Sequence, residues 1–168
     1  DFSHSNESTL FLTYAPQYWR AGLPVFPLWA KKKEPMFSGW REYSVVMPPE
    51  ELREHWKQQN SNSNIGLPLG PCSGISVIDI DTDDVGQIQA IMSVLPPSPW
   101  VRKGKKGMML AYKYSPIKTH RIKNVSGQTL VECLSSRTQC VLPPSIHPDT
   151  QLPYESNTNL FEVLGELN

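Results

Sequence analysis

Two carboxylates end an otherwise apolar segment, ISVIDID at residues 75–81, where metal chemistry would explain them. Asp79 and Asp81 are two residues apart, so on a strand both side chains project from the same face. Adjacent carboxylates at the end of a buried strand repel each other unless one takes up a proton or a cation lies between them. A divalent ion such as Mg²⁺ or Mn²⁺ prefers oxygen ligands and can hold substrate phosphates in its remaining positions.

A third acid, Glu132, interrupts the apolar segment LVECL. A Glu at such a position is costly unless it is paired or bound to a metal. The alternative is outward projection from an edge strand, since Val131 and Cys133 lie on the opposite face. For Asp83 and Asp84 we favour another function, that of capping the helix that follows.

Basic residues are concentrated in the middle of the chain, although Lys and Arg (16) balance Asp and Glu (16) overall. Between Val85 and Val131 there is no acid. That stretch contains Arg102, Lys103, Lys105, Lys106, Lys113, Lys118, Arg121 and Lys123. A positive sector facing an acidic metal site suits triphosphates and nucleic-acid backbones. A basic surface that maintains solubility is the alternative.

Two turns could contribute to binding. The GKKG turn at residues 104–107 lacks the spacing of a Walker A motif or a dinucleotide fingerprint. In PPSIHP at 143–148, prolines stiffen both ends and hold Ser145 and His147 two residues apart. His147 could bind a phosphate or support the metal site, or it could simply hydrogen-bond the backbone of its own turn.

The surrounding pattern predicts an α+β fold, with helices early and antiparallel hairpins late. Hydrophobic periodicity predicts helices over 7–21, 47–59 and 86–95, with Pro16 kinking or shortening the first and Gly22 ending it. Strands are predicted over 23–28 at a sheet edge, 65–69 and 75–81. Two hairpins are predicted, one pairing 100–103 with 108–114 and the other pairing 129–134 with 138–142.

Composition limits the class of protein. A chain of 168 residues with 39% hydrophobic content suits one domain, spanning residues 1–168. Its three cysteines are widely spaced, which argues against disulfides or a zinc ribbon. No apolar run approaches a membrane span, and no signal peptide opens the chain, so we expect a cytoplasmic protein. The missing initiator Met and the abrupt end suggest a fragment of a longer protein.

Four blocks together resemble the bifunctional primase-polymerase domain of the archaeo-eukaryotic primase superfamily. They are GLPVFPLWAKKKEPMFSGWREYS, NIGLPLG with SGISVIDIDTDDVG, WVRKGKKG, and VECLSSRTQCVLPPSIHPDT. The resemblance spans roughly residues 10 to 155, about one domain. It implies a distorted RNA-recognition-like sheet with packed helices, joined to a smaller α/β unit.

The resemblance also implies template-directed nucleotidyl transfer with Mg²⁺ or Mn²⁺. Asp79 and Asp81 match the first-motif metal carboxylates, and Glu132 matches the third-motif carboxylate. We expect the incoming NTP or dNTP to contact Arg102, Lys103, Lys105, Lys106, Gln139, Ser145 and His147. Single-stranded DNA template would contact Lys113, Lys118, Arg121 and Lys123. Such domains occur in phage, plasmid and prophage replication proteins of bacterial cells, commonly followed by a helicase domain.

One departure from the family pattern bears on activity. Many members place a histidine after the glycine-rich turn, where it meets the nucleotide phosphates, and Met108-Met109 falls there in this chain. Either Lys105, Lys106, Arg102 or His147 supplies that contact, or the domain binds DNA or nucleotide but polymerises weakly while supporting a helicase. A metal-dependent phosphodiesterase would use similar carboxylates but activate water.

Overall fold

The computed structural model describes residues 9–168 as three helices and nine strands. The helices are α1 (Leu10–Arg20), α2 (Glu50–Gln59) and α3 (Val85–Ser93). The strands are β1 (Phe26–Leu28), β2 (Asn64–Pro68), β3 (Ile75–Ile80), β4 (Val101–Lys103), β5 (Met108–Lys113), β6 (His120–Lys123), β7 (Thr129–Leu134), β8 (Gln139–Leu142) and β9 (Glu155–Ser156). Short 3₁₀ turns cover Trp40–Ser44, Leu160–Glu162 and Leu164–Glu166. The predicted α+β class is confirmed.

The strands form two antiparallel sheets. The larger has six strands in the order β6-β7-β3-β5-β4-β9, and the smaller has three in the order β1-β2-β8. One row of the larger sheet sets Arg121, Glu132, Asp79, Met109 and Arg102 opposite one another on five successive strands. Residues directly opposite on neighbouring strands project to the same face. The register therefore places two acids and two arginines on one face.

The two faces of the larger sheet pack against different partners. Val77 and Ala111 belong to the main core, which also includes residues of the smaller sheet, α1 and α2. Ile80 and Leu110 lie on the other face, in a smaller cluster covered by Ile88 and other residues of α3. Because side chains alternate along a strand, Asp79 lies on the main-core face.

Helix α1 buries the predicted apolar face and ends where predicted. Its buried residues are Leu10, Phe11, Ala15, Tyr18 and Trp19. Residues 7 and 8 of the predicted span lie outside the described part, and Pro16 does not interrupt the helix. Gly22 has φ 86°, and the Leu23 N–H donates to Tyr18 O at 3.0 Å, which closes the helix.

Most other predicted elements are present with shifted ends. Strand β1 is shorter than the predicted 23–28 segment and lies at the edge of the smaller sheet, as expected from its prolines. Helix α2 buries Trp56, with Leu52 packed at the margin of the core. The β4–β5 hairpin is confirmed, and no described helix is long and apolar enough to cross a membrane.

The predicted pairing of 129–134 with 138–142 is wrong. β7 pairs with β3 and β6 in the larger sheet, whereas β8 pairs with β2 in the smaller one. The segment between them crosses from one sheet to the other, and the buried Ser135 hydroxyl donates to Ser115 O along the way. Local pattern showed two strands and a polar turn, but β3 and β2, with which β7 and β8 pair, lie far earlier in the chain.

The edge strand β6 was not predicted from the sequence. All four of its residues are exposed, so it lacks the alternation of a half-buried strand. Because β6 occupies the edge of the larger sheet, β7 is an interior strand. The alternative in which Glu132 projects from an edge strand is therefore wrong.

Candidate active site

A cavity of about 320 Å³ opens beside the end of β3. Its lining comes from strands of the larger sheet and from loops: Lys33, Asp79, Asp81, Arg102, Gly104, Lys105, Lys106, Met108, His147, Asp149 and Tyr154. Six of these are residues that the sequence singled out for metal or nucleotide binding. The fold thus brings the acidic pair and four of the predicted nucleotide ligands to one place.

Asp79 is more buried than its partner Asp81. Burial raises the pKa of Asp79, the nearby Arg102 guanidinium opposes that effect, and the carboxylates of Asp81 and Glu132 raise the pKa further. A divalent cation would offset both burial and like-charge repulsion. The surroundings of Asp79 therefore fit an oxygen ligand of a metal ion.

Asp81 lies one residue beyond β3, with its N–H donating to Leu130 O at 2.8 Å. Lys106 Nζ lies 3.7 Å from its Oδ1, in a pair where each side chain is about half exposed. An exposed ion pair contributes little to stability, on the order of 0–1 kcal/mol. Its carboxylate can therefore exchange Lys106 for another cation at small cost.

Asp83 and Asp84, which follow Asp81, each accept a backbone hydrogen bond. Asp84 caps α3, accepting the Gln87 N–H at 2.8 Å, which confirms the predicted function. Asp83 Oδ1 accepts the Gly107 N–H at 2.9 Å. Asp83 therefore holds the GKKG turn beside Asp81 instead of capping the helix.

Glu132 does not line the cavity, although it stands opposite Asp79 in the sheet. Its Oε2 is 3.2 Å from Arg121 Nε on the neighbouring strand. Across residues 9–168, no group of three or more His, Cys, Asp and Glu side chains is arranged to hold a metal ion. The cavity thus presents two of the three predicted metal carboxylates, Asp79 and Asp81, while Arg121 engages Glu132. The predicted metal-binding function of all three stays a prediction.

Arg102 is fixed in the cavity by contacts from two directions. Its Nη1 donates to Val141 O at 2.7 Å, which ties β4 to the smaller sheet. Its guanidinium carbon lies 4.5 Å from the centroid of the Tyr154 ring. A held guanidinium with donors remaining is suited to phosphate oxygens.

The two methionines at the family's histidine position have different environments. Met109 lies opposite Asp79 and is buried in the core, whereas Met108 lines the cavity. A thioether has no proton to donate. Neither side chain can hydrogen-bond a phosphate oxygen, so that contact has to come from another element.

His147 makes the backbone hydrogen bond considered for it, and its binding of a phosphate or support of a metal site stays a prediction. It is only 5% exposed, and its Nδ1 accepts the Asp149 N–H at 3.0 Å, so it is bound to its own turn. It also lines the cavity. Burial lowers its pKa, and the positive charge of Lys33 lowers it further. A neutral ring with an accepting Nδ1 carries its proton on Nε2.

Three predicted nucleotide ligands do not line the cavity. Ser145 is fully buried, and its hydroxyl accepts the Ile65 N–H at 2.8 Å. Gln139 Nε2 donates to Lys33 O at 3.0 Å. Lys103 lines a separate hollow beside β9. Ser145 and Gln139 act as supports of the loops around the cavity.

The predicted template ligands also lie apart from the cavity. Lys113 ends β5, and Lys118, Arg121 and Lys123 lie on or beside the edge strand β6. All four are exposed. Template contact by this group stays a prediction.

Sequence reasoning missed Lys33 and Tyr154. Lys33 belongs to a KKKEP turn that resembles any solvated lysine cluster, and no local signal distinguishes it from Lys31 or Lys32. Tyr154 lies four residues beyond the last quoted block, and no motif includes it. Only the folded chain shows that both residues line the cavity.

The chain was compared with known proteins. A family model described as bifunctional DNA primase/polymerase, N-terminal, matches residues 15–167. A search of curated proteins gave no match. The matched range includes every residue that lines the cavity.

Proposed function

This chain belongs to the bifunctional DNA primase/polymerase N-terminal family, and we propose that it is a catalytic module that joins nucleotides on a single-stranded DNA template. One observation supports this proposal above the others. A single cavity contains the paired acids Asp79 and Asp81 together with the cations Arg102, Lys105 and Lys106. Acids that attract metal ions beside cations that attract phosphates form a site for a nucleoside triphosphate.

The residues fit divalent metal ions, for which we propose Mg²⁺ or Mn²⁺. Asp79 and Asp81 would hold two ions, and Glu132 would complete the set when its carboxylate leaves Arg121. Carboxylate oxygens and a raised Asp79 pKa agree with this assignment. When bound, such ions supply Lewis-acid polarisation and neutralise the triphosphate.

The chain's own cations orient the nucleotide in this proposal. The Arg102 side chain is already held in position by Val141 O and the Tyr154 ring. It therefore loses little conformational entropy when it binds a phosphate. Lys105 and Lys106 extend from a turn that Asp83 holds in place. Lys118 and Lys123, exposed on or beside β6, then contact the template backbone as point charges.

The wider context of the domain is also part of the proposal. By family resemblance, the substrates are NTPs or dNTPs, and the module works in the cytoplasm of a bacterial cell. It would belong to a phage, plasmid or prophage replication protein that also carries a helicase domain. Co-purification of primase and helicase activities from the longer protein would test this.

The central experiment replaces Asp79 and Asp81 together with Ala. Primer synthesis and extension, measured with template, Mn²⁺ and labelled nucleotides, should fall by about 10³-fold or more, since metal ligands contribute several kcal/mol of transition-state stabilisation. Glu54→Ala, which removes only a surface pair with Lys57, is the matched control. Full activity in the double variant, with an unchanged circular dichroism spectrum, would contradict the proposed mechanism.

The Met108-Met109 departure favours a second candidate, a module that binds DNA or nucleotide and supports a helicase with little polymerisation. This candidate predicts no product, together with DNA affinity that resists chelation. Cleavage of an unprimed strand without added nucleotides would indicate a phosphodiesterase instead.

A further inference from the structure

Lys33 is a cation of the cavity that the sequence did not single out. It lies in the loop of residues 29–34, between β1 and the first 3₁₀ turn, far along the chain from the other cavity residues. Its positive charge acts on both Asp79 and His147. Lys33 therefore shares the cavity with Asp79 and His147 and acts electrostatically on both.

Lys33 differs from the neighbouring lysines because its ammonium has no protein partner among residues 9–168. Lys105 pairs with Asp149 at 3.3 Å, and Lys106 lies 3.7 Å from Asp81. Lys33 makes only backbone contacts: its N–H donates to the Glu34 carboxylate at 3.2 Å, and its carbonyl accepts from Gln139. A binding anion would not have to displace an acid from it.

The loop that carries Lys33 is held firmly in place. Trp29 N–H donates to Glu34 O at 2.9 Å, and Leu28 bridges to Pro35, so the loop closes like a hairpin. Its lysines are exposed, and ordering a residue costs about 1–2 kcal/mol of backbone entropy. Lysines that serve only solubility do not require an ordered loop. A lysine that binds a ligand does, because its position must be defined.

One buried side chain links this loop to the loop of His147. Asn64 is 1% exposed, and its Nδ2 donates to Lys32 O and to Ile146 O, each at 2.9 Å. Its Oδ1 accepts the Ile146 N–H at 2.9 Å. Asn64 therefore sets the position of Lys33 relative to His147.

His147 supplies a neutral hydrogen-bond donor, which complements the positive charge of Lys33. Its Nδ1 accepts backbone N–H groups, which leaves the proton on Nε2, and Nε2 has no hydrogen-bond partner in the described part of the chain. The ring is held 5.1 Å from that of Tyr154. A neutral Nε2–H can donate to a phosphate oxygen while Lys33 supplies charge.

We propose that Lys33 and His147 together bind the terminal phosphates of the nucleoside triphosphate, in place of the histidine that Met108-Met109 lacks. This inference rests on the proposed function and deepens it. Asn64 and Gln139 act as positioning residues for the pair. Because the contact is to the terminal phosphates, it distinguishes a triphosphate from a monophosphate.

The test measures direct binding of ATP and AMP to the whole chain by calorimetry with Mg²⁺ present, without any catalytic readout. Lys33→Ala should weaken ATP binding roughly ten-fold or more, the usual effect of losing a charged hydrogen bond, and AMP binding by less than about two-fold. Lys32→Ala, which removes an exposed neighbour outside the cavity, should change neither. Lys33→Arg should retain part of the ATP preference.

The outcomes separate this inference from the function on which it rests. Equal losses for ATP and AMP in Lys33→Ala, or no loss for either, would overturn the subsite even if the protein makes primers. A Lys33-dependent preference for ATP in a protein that makes no product would support the subsite and reject polymerisation. Asn64→Ala should reduce the same preference, and a folded variant that retains it would reject the positioning function.

Discussion

Gly107 and Gly74 form a matched pair for testing how the GKKG turn is held against β3. Both have left-handed backbones, with φ 66° at Gly107 and φ 70° at Gly74. A Cβ built on Gly74 meets nothing within 4 Å, whereas one on Gly107 would lie 1.7 Å from Ile80 O. Replacing each with Ala therefore compares backbone strain alone with strain plus a clash.

The expected magnitudes follow from this geometry. Left-handed backbone costs an Ala about 1–2 kcal/mol, which should be the whole effect of Gly74→Ala. At Gly107 the obstructing atom belongs to the backbone at the end of β3, so relief requires moving the turn or the strand. Such overpacking typically adds about 1–3 kcal/mol. Gly107→Ala should thus lower the free energy of unfolding by about 2–5 kcal/mol.

Urea denaturation of both variants measures the difference directly. For a chain of this size each kcal/mol corresponds to about 2–4 °C in Tm, so thermal unfolding gives a second reading. Because the shifted turn carries Lys105 and Lys106, Gly107→Ala should also weaken ATP binding, and Gly74→Ala should not. Free energies of unfolding within about 0.5 kcal/mol of each other would refute the reasoning.

Three further predictions concern single side chains. Arg121→Ala should change the free energy of unfolding by less than about 1 kcal/mol, because the Arg121–Glu132 pair is partly exposed. The same variant should bind Mn²⁺ more tightly, because Glu132 is freed. Weaker Mn²⁺ binding in calorimetry would contradict the prediction. Burial raises the pKa of Cys140 to about 12, so iodoacetamide at pH 8 should label the other cysteines first, and mass spectrometry of the folded protein would detect any early modification. Burial lowers the pKa of His147 below its ordinary 6.5, so the unfolded chain binds its proton first and stability should fall as pH drops below about 6.5. His147→Gln should flatten that slope in urea titrations at pH 7.5 and 5.5, and an unchanged slope would show that other groups cause it.

Local features were predictable from sequence wherever the cause lay within a few residues. Gly22 ends α1 because a left-handed residue closes the last turn, and Asp84 caps α3 through its own neighbour Gln87. Asp79 and Asp81 were identified by their spacing on an apolar strand. Such signals do not depend on which strands become neighbours.

Strand pairing accounts for what the sequence did not show. The separation of β7 from β8 depends on the fit of β8 to β2, about seventy positions earlier in the chain. Strand β6 has no hydrophobic alternation, so only its ladder with β7 identifies it. The engagement of Glu132 by Arg121 follows from that ladder.

By itself, then, the sequence determined the α+β class, the ends of several elements, the acidic pair and the family resemblance. The tertiary structure decided which side chains meet that pair: it placed Lys33 and His147 in the cavity and turned Ser145 and Gln139 into supports. The physical reason is that strand spacing determines which residues share a face, whereas sheet register and loop closure determine which distant faces meet. Chemistry at this cavity depends on sheet register and loop closure, because the charged residues that line it come from segments that only folding brings together.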